Sequence, residues 1–218
     1  MPSPLEKARR DPDSMKARIL AASRQLFGEY GYHGVTTRMI AKEVGIDVST
    51  LYYHWGEKQD LYEAVLTDLN DEIRSKLGEI ERLVRGRPMD YRLAKAIDIM
   101  CDYLFSRPEA SRLILFSYFS KTRNESVIDD RMTEHIANIA IAMGLALDKK
   151  HVSPAANTRV LAVWNSVINF TAGNDFFKSL LKLDNAEYAS VVKEALKFIL
   201  LPAFTRDQGA AANQGCVS

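Results

Sequence analysis

The sequence predicts an all-α protein of about nine helices. Three observations carry that expectation. Apolar residues recur every three or four positions along most of the chain. No run alternates Val, Ile and Thr between hairpin turns. Gly, Pro, Ser and Asp punctuate the periodic stretches at helix-length intervals. No fixed-period repeat is present. Short helices at the start, then longer ones, point to a small head joined to a larger body.

Residues 1–13 are Pro-rich and charged and are expected to be a flexible arm. Residues 15–30 form the first helix, with Ile19, Leu20, Ala22, Leu26 and Phe27 on one face, Ser14 or Asp13 as cap and Gly31 as stop. Thr36 caps a short helix over 37–44 that buries Ile40, Ala41 and Val44, and Gly45 ends it. Asp47 can cap a third over 48–55. Gly56 then breaks the chain, with Gln59 in the third position of the next helix as a weak capping box. Leu61, Val65, Leu69, Ile73, Leu77 and Ile80 mark a rod over 57–84, roughly 40 Å long at 1.5 Å per residue. Further helices are expected over 90–105, 108–121, 125–147, 154–173 and 187–204, with Pro108 and Pro154 in first turns. The link over 174–186 can add a turn or two, and 206–218 is expected to be a flexible tail.

At 218 residues and 24.6 kDa, the chain can bury about 70% of its unfolded surface without a staple. Its 29 Lys and Arg against 28 Asp and Glu exclude a bulk polycation and an acidic tail protein. An apolar fraction of 47% excludes general disorder. Cys101 and Cys216 make neither a disulfide framework nor a zinc cluster, which points to a reduced, cytoplasmic protein. No signal peptide is expected at the start, and the longest apolar run, 139–147, falls well short of the ~20 residues of a membrane helix. His33, His54, His135 and His151 are scattered singly, and no zincin motif, phosphate loop or nucleophile elbow occurs. The expectation is therefore no enzyme, no cofactor, no metal and no membrane partner.

Residues 37–44 and 48–55, split by Gly45-Ile46-Asp47, have the spacing of a helix-turn-helix, whose second element enters a major groove about 12 Å wide. Asp47, Val48, Ser49, Thr50, Tyr52, Tyr53 and His54 would face outward, with Leu51 and Trp55 inward. Arg38, Lys42 and Lys58 border that surface, with Arg9 and Arg10 on the arm. Hydroxyls on Thr37, Tyr52 and Tyr53 and amides at helix starts can donate to phosphate. The same pattern also fits ordinary packing of three short helices.

The spaced residues Ala21-Ala22, Leu26-Phe27, Gly31-Tyr32, Thr36-Thr37-Arg38-Met39-Ile40-Ala41, Val44-Gly45-Ile46, Ser49-Thr50-Leu51-Tyr52-Tyr53-His54-Trp55 and Gly56-Glu57-Lys58-Gln59-Asp60-Leu61 resemble the tetracycline-repressor-like (TetR/AcrR) family of bacterial transcription regulators. The resemblance covers about a fifth of the chain. It implies that Thr37 and Arg38 meet the DNA backbone, that Asp47, Val48, Ser49, Thr50 and Tyr52 read bases, and that Tyr53, His54 and Lys58 hold phosphates. It further implies a homodimer on a near-palindromic double-stranded operator, most often as a repressor, and a small-molecule effector. The expected domains are a DNA-binding head over 14–56 and an effector-binding and dimerisation body over 57–205. Family members often carry Phe where Trp55 stands and Ser where Asp47 stands. A carboxylate is repelled by phosphate, so Asp47 either caps the helix or accepts from a cytosine amino group. The recognition helix holds no Lys or Arg, which keeps a ligand carrier with a degenerate head as the rival reading.

In the body, Met100, Tyr103, Phe116, Phe119, His135, Trp164, Asn165 and Asn169 are candidates for an effector pocket, because polar groups there fall among aromatic and sulfur side chains. Each also fits ordinary core, and His135 also fits a satisfied structural histidine. Apolar stripes through Val160, Val163 and Val167, and through Val191, Ala195 and Ile199, predict a four-helix dimer interface.

Overall fold

A computed structural model describes residues 2–120 and 125–212, with side chains for 2–120 and 133–204. Eleven α-helices, one 3₁₀ turn (Lys149–His151) and no strand occur among the described residues. The helices are α1 (Pro4–Arg10), α2 (Met15–Gly34), α3 (Thr37–Val44), α4 (Val48–Trp55), α5 (Lys58–Val84), α6 (Met89–Phe105), α7 (Pro108–Phe119), α8 (Glu125–Ala142), α9 (Pro154–Ala172), α10 (Asn174–Leu181) and α11 (Asn185–Ala212). Two exceed the expected count of about nine. One is α10, in the link over 174–186. The other is α1, inside the segment expected to be a flexible arm. Ser3 Oγ accepts the Glu6 N–H at 3.2 Å, and the Glu6 carboxylate accepts the Ser3 N–H at 2.7 Å. This reciprocal cap starts α1, Ala8 is buried, and Arg9 is ion-paired with Asp68 at 2.7 Å and Asp71 at 3.0 Å. Arg9 is therefore engaged within the protein rather than free at a DNA surface.

The described residues fall into two compact units. Unit one takes those up to Ile73 and from Arg107 to Ile128; unit two takes Arg74 to Ser106 and those from Asp129 onward.

In unit one, α7 lies along α2, although some 75 residues of sequence separate them. Gly28 makes the close approach possible: a Cβ there would lie 2.8 Å from Glu109 Cβ and 3.0 Å from its carbonyl oxygen. An ionic cluster flanks the contact. Arg24 forks onto Glu72 at 2.8 and 3.0 Å and meets Glu109 at 3.3 Å, and Arg107 reaches Glu72 at 2.9 Å. Phe27 and Tyr62 are fully buried, edge to face at 5.0 Å, with Tyr32 4.9 Å from Tyr62.

In unit two, α6 and α11 are joined by Lys197–Asp98 at 2.5 Å and by Lys193–Asp102. Asp98 and Asp102 thus belong to a helix seam. Between them the Cys101 thiol is buried, and burial pushes its pKa up to about 12, so it stays protonated and inert. Buried Tyr188 donates to the Phe170 carbonyl at 3.0 Å. The tail expected over 206–218 is helical through Ala212; residues 213–218, with Cys216, lie outside the described residues. Among the described residues, no helix is long and apolar enough to cross a membrane.

Candidate nucleic-acid interface and cavity

The head is built by local signals and fastened by cations. Thr36 Oγ1 accepts the Met39 N–H at 3.2 Å and starts α3. Gly45 ends it in the left-handed region (φ 76°, ψ 41°), where its N–H and that of Ile46 both reach the Ala41 carbonyl at 2.9 Å. Asp47 then occupies the cap position of α4, but its side chain makes no cap hydrogen bond and its carboxylate is exposed. The expected capping role is therefore not taken up. Leu51 and Trp55 are buried, and Trp55 Nε1 donates to the Lys16 carbonyl at 3.2 Å. Lys16 Nζ in turn reaches the His54 carbonyl at 2.9 Å, Arg18 reaches the Val44 carbonyl at 3.1 Å, and Lys58 holds those of Tyr32 and Val35 at 3.0 and 2.9 Å. Positive charge thus sits at the carbonyl ends of α3 and α4, where the helix dipole favours it. Asp60, not Gln59, accepts the Glu57 N–H at 2.9 Å at the start of α5.

Facing outward on this surface are Arg38, Asp47, Ser49, Tyr52 and Tyr53, with Tyr53 84% exposed. Thr37, Val48, Thr50 and His54 are half-buried beside them. All these residues lie on or next to α3 and α4. Lys58 stands apart: besides its two carbonyls, its ammonium sits 4.2 Å from the centre of the Tyr32 ring. His54 has a defined tautomer. Lys16 Nζ, which can only donate, lies 3.1 Å from His54 Nδ1, so Nδ1 accepts and Nε2 carries the proton. Burial, then the Lys16 charge, lowers the His54 pKa below its ordinary 6.5. The unfolded chain then takes up this proton first as pH falls, so stability declines from about pH 6.5 downward until folded His54 also titrates. Melting curves between pH 8 and 5 are expected to show that decline, and a smaller one in His54→Asn; identical slopes would count against it.

Unit two holds a partly open cavity of about 250 Å³. Its walls are α5 from Arg74 to Val84, α6 from Met89 to Met100, α8 with the following turn from His135 to Met143, and α9 from Val160 to Val167. The lining is mainly apolar. Three polar nitrogens of lining residues, Arg92 Nε, His135 Nε2 and Trp164 Nε1, are buried with no hydrogen-bond partner among the described residues. Burial, then the Arg74 charge, lowers the His135 pKa and keeps its ring neutral at pH 7.

The profile of the family described as bacterial regulatory proteins, tetR family, matches residues 19–65, the stretch that holds α3, the Gly45 turn and α4. Residues 19–65 thus carry the segment shared by the TetR family. The chain is similar to DNA-binding transcriptional regulators of that family. The chain is 27% identical over 147 residues to the HTH-type transcriptional regulator UidR of Escherichia coli K12, covering 66% of this chain and 71% of that one. Its fold matches AibR, solved in complex with isovaleryl coenzyme A and operator DNA, with TM-score 0.65 at 16% identity, covering 84% of this chain and 96% of that one. It also matches the ketosteroid regulator KstR2 of Mycobacterium tuberculosis, with TM-score 0.64 at 15% identity, covering 88% and 95%.

Of the expected pocket residues, Met100, His135 and Trp164 line the cavity. Tyr103 does not; it lies near Lys76 instead. Asn165 and Asn169 are exposed on the other side of α9, and the Asn165 side chain donates to the Leu161 carbonyl. Phe116 and Phe119 belong to unit one, where Phe116 neighbours Gly31 and Phe119 is exposed. Of the expected dimer stripe, Val160, Val163 and Val167 line the cavity, and Val160 and Val167 are buried. Val191 and Ile199 are exposed and Ala195 half-buried, and Phe198 joins them on α11, 82% exposed. Sequence reasoning passed over Arg74 and Arg92, because a charged residue on a helix reads as solvated.

Proposed function

We propose that the protein is a repressor that binds a near-palindromic operator as a homodimer and is released when a mainly apolar small molecule fills the cavity. The observation that carries this reading is the division of α4 into a buried side, Leu51 and Trp55, and an outward side, Ser49, Tyr52 and Tyr53. Thr37 and Arg38 meet the backbone; Asp47, Val48, Ser49, Thr50 and Tyr52 read base edges; Tyr53 and the Nε2–H of His54 hold phosphates. The unbonded Asp47 carboxylate accepts from a cytosine amino group. Lys58 serves indirectly, by holding the link that presents Thr37. The exposed Val191, Phe198 and Ile199, with Ala195, support pairing of two copies through α11. AibR, solved with both a coenzyme A thioester and operator DNA, supports the pairing of DNA and ligand sites in this fold. The cavity wall includes the Arg74–Val84 part of α5, and the same helix begins at Lys58, just past α4. A ligand that shifts α5 moves the heads, and operator must weaken ligand binding by the same factor.

Thr50→Ala is expected to relax base preference at its contact by about 1–3 kcal/mol. Titration against upstream DNA of the chain's own gene and against random DNA checks this, and equal losses on both would remove Thr50 as a reader. The rival, a ligand carrier with a silent head, draws support from the internal engagement of Lys16, Arg18 and Lys58. A salt-dependent gel shift on that upstream DNA separates the two readings.

A further inference from the structure

We infer that the cavity of unit two takes a small apolar carboxylic acid as its free anion, with the carboxylate held by Arg92. This rests on the cavity being the ligand site proposed above. The Arg92 guanidinium lies in a mainly apolar wall, donates to the Ala142 carbonyl, and leaves its Nε–H buried without a partner. No carboxylate pairs with Arg92 among the described residues. Glu81 is the one acid among the described lining residues; it is exposed and lies 3.7 Å from Arg85. Of the charged lining residues, Arg74 and Glu81 are both exposed and Arg92 alone is half-buried. A guanidinium in apolar surroundings without a counter-ion is unfavourable, and a planar carboxylate matches its fork in charge and shape. The other orphaned nitrogens, Trp164 Nε1 and His135 Nε2, add no negative charge, and the Trp164 N–H is a second donor.

Volume sets the scale of the remainder of the ligand. At about 30 Å³ per water-sized group, 250 Å³ sets a scale of about eight non-hydrogen atoms for the part of a ligand inside the walls. His135 lies two turns of α8 before Ala142, about 10 Å along the axis. That leaves an apolar chain room to extend from Arg92 along α8. A coenzyme A thioester offers only a neutral carbonyl at this position, with no charge to match the Arg92 guanidinium.

The test is calorimetric titration of the full chain with octanoate, the isosteric neutral octanamide, and octanoyl coenzyme A. Octanoate is expected to bind at least tenfold more tightly than octanamide and more tightly than the thioester. In Arg92→Met the octanoate preference disappears while octanamide affinity persists, which shows the cavity still formed. Arg92→Lys, which keeps the charge but not the fork, is expected to retain part of the preference. Equal binding of octanoate and octanamide overturns the assignment and leaves the cavity as a ligand site. Tighter binding of the thioester, or a preference unchanged in Arg92→Met, overturns it too. Binding of none of the three also overturns it, while the operator titration judges the DNA reading separately.

Discussion

Trp55→Ala is expected to destabilise the head by about 3–5 kcal/mol and to abolish operator binding. The side chain is 4% exposed at the end of α4, and its Nε1–H is tied to the Lys16 carbonyl. Removing it leaves a cavity against α2 and frees the helix that carries Thr50 and Tyr52. Trp55→Phe is the informative partner. It keeps most of the buried ring and loses one hydrogen bond, so a loss of about 1 kcal/mol with specific binding retained is expected. Urea melts with gel shifts on the same samples separate the two effects. Wild-type DNA affinity in a Trp55→Ala protein that has lost this stability would show that α4 does not depend on its buried side.

Gly28→Leu is expected to cost about 3 kcal/mol or more, and to do so far from any DNA-facing residue. The added Cβ alone would meet the Cβ and backbone of Glu109, which cannot rotate away. Gly28→Ala sets two effects against each other. Alanine gains about 1 kcal/mol in helix propensity over glycine. Forcing α2 and α7 apart costs about 1–3 kcal/mol and strains the Arg24–Glu72–Glu109 cluster beside the contact. Overpacking against backbone wins, so Gly28→Ala also lowers stability, by less than Gly28→Leu. Chemical denaturation of both variants gives the order, and a neutral or stabilised Gly28→Ala would mean that the two helices can separate freely.

The head was legible because its boundaries are written in local chemistry. Thr36, Gly45 and Gly56 each act within four residues, and α3 and α4 begin and end where those residues place them. The helix α1 was written just as locally, in Ser3 and Glu6, but two prolines and a run of charge disguised it as an arm. The rest was not legible because a stripe of apolar residues states that a face is covered and not by what. Val160, Val163 and Val167 make the same stripe whether they meet a second copy or a cavity, and only packing placed them at the cavity. Phe116 and Trp164 look alike as aromatics on amphipathic helices, yet they belong to different units. Arg92 was passed over because nothing in its neighbours distinguishes a guanidinium turned toward an apolar wall from one in water.

The seating of α7 against α2 bears on how such regulators can be recombined. The residues proposed to recognise DNA end before position 60, which invites grafting them onto a different body. Yet Gly28, Gly31 and Tyr62 find their neighbours in Glu109, Phe116 and Ser120. A transplanted head that stops at the end of α5 leaves that side of α2 bare to water, so a working hybrid must carry the 107–120 stretch with it.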